Sequence, residues 1–178
     1  MWYSENIHGT TPTEFGAVIS YVSAKLCYDS TLDSNKLITD WFNAQFGPAT
    51  GVMQNLFNKM RVFNHIETLK AEKYGGRTNS NQVKELFDWR PEVLFDWVET
   101  ADTALRMIEP LKYTDPAEYD RIAYNIEIEA FCPIWIIYDQ SMNLTAEQNA
   151  AFKARIQNNL DKYPEFKYVD GYKSILNK

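Results

Sequence analysis

Glutamates and histidines are the side chains of this sequence best suited to catalysis or metal binding, and their spacing restricts both. Glu127 and Glu129 lie two residues apart, which on a helix directs them to different sides. Because a glycosidase needs two carboxyl groups facing each other across one cleft, this pair does not suit that reaction. We interpret them as lone buried glutamates with hydrogen-bond partners.

The two histidines, His8 and His65, do not occur in the pattern of a metal site in a helical bundle. Such a site uses Glu-x-x-His pairs on facing helices. His8 follows Glu5 by three residues, but in a segment without helical spacing, and the sequence has no second pair of this kind. No base is spaced to activate a serine or cysteine nucleophile. We therefore expect no catalytic residue, no metal and no cofactor in this chain.

Composition and charge are typical of one globular domain. The 178 residues are 45% hydrophobic and contain no linker rich in proline, glycine or serine, so we expect a single domain over residues 1–178. A net charge of −6 without a basic cluster argues against nucleic acid as a partner. No apolar run is long enough to span a membrane, and residues 1–5 lack the features of a signal peptide. Cys27 and Cys132 are expected to be free buried thiols.

Start and stop signals divide residues 14–60 into three helices around which the chain is organised. Thr11 and Glu14 flank Pro12 in a capping pattern that predicts a helix beginning at Pro12. Asp33 or Ser34 is expected to cap the second helix, and Gly47 to end it just before a third that Pro48 opens. The residues expected to face inward are Phe15, Val18, Ile19, Val22 and Leu26 in the first helix, Leu37, Ile38, Trp41 and Phe42 in the second, and Met53, Leu56, Phe57 and Met60 in the third.

Helical spacing continues in the second half of the chain. A short helix is predicted over residues 81–87, and a long one from Pro91 to just before Pro110. Glu99 and Asp102 lie on the side of the long helix that is expected to face solvent. A further helix is expected to be capped by Asp115. Residues 126–138 are apolar on nearly every side, which indicates the central helix of a bundle. A capping box over residues 145–148 begins the last long helix, and residues 165–178 are expected to form a short strand or helical turn. We predict an all-α domain of about six or seven helices after an irregular lead-in over residues 1–10.

Four of the tryptophans, Trp41, Trp89, Trp97 and Trp135, lie mostly on the apolar sides of these helices and are expected to belong to the core. Among the aromatic residues, only Trp2, Tyr3 and Trp89 suit stacking against a sugar ring.

A family resemblance falls in the first three helices. Residues 21–29 (YVSAKLCYD), 37–42 (LITDWF) and 46–50 (FGPAT) resemble the helical segment after the barrel in a bacterial glycoside-hydrolase-like family, described only as domain of unknown function 4838. Its barrel is similar to that of the family 67 alpha-glucuronidases. Cys27, Tyr28 and Thr50 depart from the family pattern, which has leucine, tryptophan and alanine at those positions. The resemblance covers about the first third of the chain.

The resemblance implies that the chain is the C-terminal helical part of a larger carbohydrate-active protein. Residues 1–10 would then be the end of the last barrel strand, and Trp2, Tyr3, Glu5 and His8 would line the sugar site of the intact parent. The implied partners are the parent's barrel domain and a glycan, and the parent would be a secreted or periplasmic protein. The chain alone is expected to hydrolyse no glycoside, because it lacks a second carboxyl group across the cleft.

Two functions therefore remain open on sequence grounds. The first is a non-catalytic helical domain that packs against a barrel and shapes its substrate cleft. The second is a self-standing helical module for protein–protein interaction. Burial of Phe15, Val18 and Val22 within this chain would favour the second, whereas their exposure in a large patch would favour the first.

Overall fold

The computed structural model describes residues 15–72, 87–168 and 172–177, and these residues are almost entirely helical. The helices are α1 (Gly16–Tyr28), α2 (Ser34–Phe46), α3 (Thr50–Glu72), α4 (Pro91–Ile108), α5 (Leu111–Thr114), α6 (Pro116–Asp139), α7 (Ala146–Lys162) and α8 (Tyr172–Leu176). Short 3-10 turns occupy Gly47–Ala49 and Pro164–Tyr168. Six of the α-helices have at least 13 residues, and no described residue forms a strand, so the predicted all-α fold is confirmed.

Capping residues begin the helices where the sequence predicts. The Asp33 carboxylate accepts the backbone N–H groups of Asn35 and Lys36 at 2.8 and 3.3 Å. Asp115 accepts the N–H of Glu118 at 3.1 Å. At the start of α7, the side chains of the capping box over residues 145–148 bond each other's backbone N–H groups. Each of these bonds satisfies a donor that the first helical turn leaves without an intrahelical partner.

The start of α1 differs from the prediction. The helix begins at Gly16, because Phe15 has a left-handed φ of 56° and interrupts any helix that runs through it. The Phe15 ring is fully buried, and the backbone N–H of Phe15 donates to a Glu129 carboxylate oxygen at 2.7 Å. The predicted capping residues Thr11, Pro12 and Glu14 lie outside the described residues, and the described part of the helix is positioned by the burial of Phe15 and its bond to Glu129.

Gly47 ends α2 as predicted and turns the chain sharply into α3. Its φ is 47°, a conformation that a side chain would strain, and an added Cβ would lie 3.0 Å from the Ile122 Cδ1 atom. Pro48 follows within the 3-10 turn, and α3 begins at Thr50. The inward stripe of α3, Met53, Leu56, Phe57 and Met60, is buried as expected.

The central helix is α6, in agreement with the prediction. Between residues 126 and 138 only Glu127 and Trp135 are not buried. One side of α6 joins an apolar cluster formed with α1 to α4, and the other side joins a second cluster formed with α7 and the C-terminal turns. In the second cluster Phe166 and Ile175 are fully buried, so the described turns Pro164–Tyr168 and Tyr172–Leu176 are both packed against it.

Several predictions of burial were wrong. Ile19 is 58% exposed, and Cys27 is exposed, whereas Cys132 is buried as expected. Asp102 is not simply solvated, because it forms an ion pair with Arg155 at 2.7 Å. The predicted short helix over residues 81–87 lies mostly outside the described residues. Among the described helices, none combines the length and the apolar character needed to cross a membrane.

Candidate functional site

A groove between α3 and α4 is the candidate functional site. It has a volume of about 460 Å³ and is lined by Lys59, Val62, Phe63, Ile66, Glu92, Val93, Asp96 and Trp97. The two helices are antiparallel, since Lys59 contacts Asp96 while Phe63 contacts both Trp97 and Trp89. A groove between two antiparallel helices has the shape that accepts a third helix.

The floor of the groove is apolar and rigid. Phe63 and Trp97 are buried, and their rings meet edge to face with centroids 5.4 Å apart. The other side of Phe63 is covered by Trp89 at 5.2 Å. Because these side chains are fixed by their neighbours, a ligand would find the floor already formed.

An exposed apolar stripe borders this floor. Val62, Ile66 and Leu69 are spaced by four and three residues on α3, and they are 52%, 47% and 48% exposed. They lie on the side of α3 opposite the buried stripe that begins at Met53. Large exposed side chains in such a row are typical of a surface that another protein covers.

The exposed edges of the two helices carry opposite charges. Along α4 the acidic residues Glu92, Asp96 and Glu99 are exposed, whereas α3 exposes Arg61 and His65. The Lys59 ammonium closes one end of the groove, where it donates to Asp96 at 2.7 Å and to the Thr100 hydroxyl at 3.3 Å. Because Asp96 is paired with Lys59 and Glu99 with Arg106, the negative charge of the α4 side comes mainly from Glu92.

Glu67 joins α3 to the residues just before α4. Its carboxylate is buried, accepts the Asp88 N–H at 3.0 Å and also bonds the Lys70 ammonium. Burial opposes ionisation of this carboxyl, but the bonds from Lys70 and the Asp88 N–H stabilise the anion more, so the pKa of Glu67 lies below its ordinary value. The residues that lead into α4 are thus attached to α3 by a charged hydrogen bond.

Replacing Glu67 with glutamine should destabilise the protein at pH 7 by about 1–3 kcal/mol, the usual effect of losing a hydrogen bond to a charged group. Because the folded-state pKa is lowered, the stability from the carboxylate is present above the ordinary pKa of 4.5 and is lost as pH falls through the folded value. Urea unfolding from pH 7 to pH 3 should show the difference between the two proteins shrinking with acid. The exposed Glu99→Gln change is the control, and a difference that stays constant across this pH range would contradict the assignment.

A second polar cluster joins α4, α6 and α7. Arg155 donates through Nε to Glu127 at 2.8 Å and through Nη1 to Asp102 at 2.7 Å, while the Asn159 amide donates to Glu127 at 2.8 Å. Burial disfavours the Arg155 cation, but the two carboxylates outweigh it, so the pKa of Arg155 is raised. A carboxylate held by a permanent cation is a poor proton donor, so this cluster favours a structural role over acid catalysis.

A smaller cleft of about 280 Å³ lies where α6 leads into α7. The Tyr138 hydroxyl donates to the Asn149 side chain there, and Thr145 is used in the cap of α7. Burial raises the pKa of Tyr138, so the hydroxyl keeps its proton at neutral pH. The side chains of Tyr138, Asn149 and Thr145 in this cleft are therefore already engaged in hydrogen bonds within the protein.

The residues predicted to bind sugar stay a prediction, apart from Trp89. Trp2, Tyr3, Glu5 and His8 lie outside the described residues, and the Trp89 ring packs against Phe63 and Phe87. Glu127 and Glu129 are each hydrogen-bonded, as interpreted from the sequence. Within residues 15–72, 87–168 and 172–177, no group of three or more histidine, cysteine or acidic side chains is placed to hold a metal ion.

The groove itself was missed by sequence reasoning. The signal that identifies it is the spacing of Val62, Ile66 and Leu69, a second apolar stripe on a helix that already has one. No protein-family model, curated protein or solved structure matches this chain. The class of protein is therefore defined by its fold and surface alone, as an all-α helical domain with an apolar groove.

Proposed function

We propose that this chain is a helical protein-interaction module that binds an amphipathic helix in the groove between α3 and α4. The observation that carries the proposal is the exposed stripe of Val62, Ile66 and Leu69 beside a preformed apolar floor. Helix-in-groove recognition uses such a surface, since a partner helix buries apolar residues spaced by three and four positions.

The packing of α1 supports a module that folds on its own. Phe15 and Val18 are buried, and Val22 packs against the same core from a half-buried position. The inner side of α1 is therefore covered by other parts of this chain. A domain that needed a barrel against these three residues would expose them instead.

The charge of the groove defines the partner's chemistry. Glu92 and Asp96 line its α4 side, and the chain as a whole has a net charge of −6. A partner helix with lysine or arginine beside its apolar stripe would be attracted to this edge, whereas an acidic flank would be repelled. The proposed partner is thus an amphipathic helix with a basic flank.

Two synthetic helical peptides test this function. Both have the same leucine stripe, and one has lysine flanks while the other has glutamate flanks. We expect the lysine peptide to bind with a Kd on the order of 10 μM and the glutamate peptide at least about tenfold more weakly. Fluorescence anisotropy measures the affinity, and NMR shifts of the Trp97 indole locate the site.

Ile66→Glu is the informative variant, because its side chain is half exposed and the change leaves the core intact. It should weaken binding of the lysine peptide at least about tenfold, the cost of placing a charge in an apolar contact. Ile19→Glu is the matched control on α1 and should bind like the wild type. Equal binding by Ile66→Glu, or equal binding of both peptides, would remove the groove from the function.

The resemblance to the glycoside-hydrolase-like family supports a second candidate function, a non-catalytic domain that packs against a barrel and shapes its cleft. The observation that favours it is the Phe15 N–H bond to Glu129, which attaches the chain at residue 15 to the central helix α6. Whatever domain precedes it would be connected to a bundle whose first described residue is fixed in place. In that arrangement Trp2, Tyr3, Glu5 and His8 would face the sugar site. The gene sequence upstream of Met1 distinguishes the two candidates, because only this one requires a barrel there.

A further inference from the structure

We propose that the groove between α3 and α4 receives α3 of a second copy of this chain, so that the protein forms a two-fold symmetric dimer. This inference rests on the proposed function and specifies its partner. Helix α3 has the features that the groove requires, namely an exposed apolar stripe of Val62, Ile66 and Leu69 and a basic flank provided by Arg61.

Charge complementarity favours a second copy over an unrelated helix. On the acidic edge of α4, Asp96 and Glu99 are paired with Lys59 and Arg106, so Glu92 is the carboxylate offered to a partner. The cation that it would meet, Arg61 on α3, belongs to the same chain. When α3 of one copy lies in the groove of the other, its basic flank can face that acidic edge. Two-fold symmetry makes the contact twice, so each apolar stripe is covered and each acidic edge faces the basic flank of the other copy.

Groove and stripe are adjacent on one surface, which is the condition for such a symmetric contact. Val62 and Ile66 line the groove and also belong to the exposed stripe. Each copy can therefore insert its α3 while it receives the other. The four helices, two α3 and two α4, would form an intermolecular four-helix arrangement.

Sedimentation equilibrium of the full chain tests the proposal. The wild type should dimerise with a Kd on the order of 10 μM, and Ile66→Glu or Leu69→Glu should raise this Kd at least about tenfold. Ile19→Glu, at an exposed isoleucine outside the groove, should dimerise like the wild type. Circular dichroism melting of each variant shows that its fold is retained.

Exchanging two charges tests whether Arg61 of one copy faces Glu92 of the other. Arg61→Glu and Glu92→Arg should each weaken the dimer, and the double variant should recover most of the loss, because the two charges are again opposite. A wild type that stays monomeric up to about 1 mM would overturn the dimer, as would a dimer insensitive to both Ile66→Glu and Leu69→Glu. A monomer that still binds the lysine peptide would leave the proposed function in place, whereas loss of both activities would remove both proposals.

Discussion

Replacing Ile134 with aspartate is expected to unfold the protein at 25 °C. Ile134 is 1% exposed and lies on α6 in the apolar cluster that contains Phe131, Ile156 and Phe166. An unpaired carboxylate in such surroundings costs several kcal/mol, and domains of this size are stable by only about 5–15 kcal/mol. Urea unfolding followed by circular dichroism at 222 nm should show little or no folded baseline at neutral pH.

The control for this change is Ile19→Asp, which makes the same substitution at a residue that is 58% exposed. It should lower stability by less than about 1 kcal/mol, the usual range for a surface position in a helix. If Ile134→Asp melted like the wild type, α6 would not be the centre of the core.

Replacing Arg155 with methionine is expected to cost about 3–5 kcal/mol, the effect of breaking a buried ion pair from one side. Methionine fills a similar volume but leaves the Glu127 carboxylate with only the Asn159 amide, and Asp102 loses its cation. The Glu127 side chain is only 13% exposed, so water replaces little of the lost interaction. Equilibrium urea unfolding at pH 7 measures the change in free energy.

Two further variants isolate the cause of the Arg155 effect. Arg106→Met breaks an ion pair with Glu99 in which both side chains are more than half exposed, and it should cost less than about 1 kcal/mol. Glu127→Gln in the Arg155→Met background should recover part of the loss, because the buried charge is then removed. An Arg155→Met protein as stable as Arg106→Met would show that the cluster contributes little.

Local signals made most of the fold predictable. The caps at Asp33, Asp115 and Thr145, the turn at Gly47 and the proline at the start of α4 each act within a few residues, so the sequence contains the whole interaction. The exception is α1, where the burial of Phe15 and its bond to Glu129 decide the first residue of the helix. That bond joins positions 114 residues apart, which local patterns do not reveal.

Burial and the candidate site were harder to predict, because both depend on how helices pack. Helical spacing assigned Ile19 to an inward stripe and Cys27 was expected to be buried, yet both are exposed, and within α1 only Val18 is fully buried. The groove requires α3 and α4 side by side, and the Arg155 cluster requires three helices. Spacing within one helix shows that a surface is apolar but not which helix covers it.

The bond between Phe15 and Glu129 also has a consequence for the order in which the chain assembles. The contact between Phe15 and Glu129 closes a loop of 114 residues, which costs more chain entropy than closing the shorter loop between α3 and α4. We therefore expect α1 to dock after α4 and α6 have come together. Opening should follow the reverse order, with α1 detaching first and exposing the Phe15 ring while α6 stays protected. The amide hydrogens of α1 would then exchange with solvent through an opening of lower free energy than those of α6. The first helix of the chain would be the last part of the core to form.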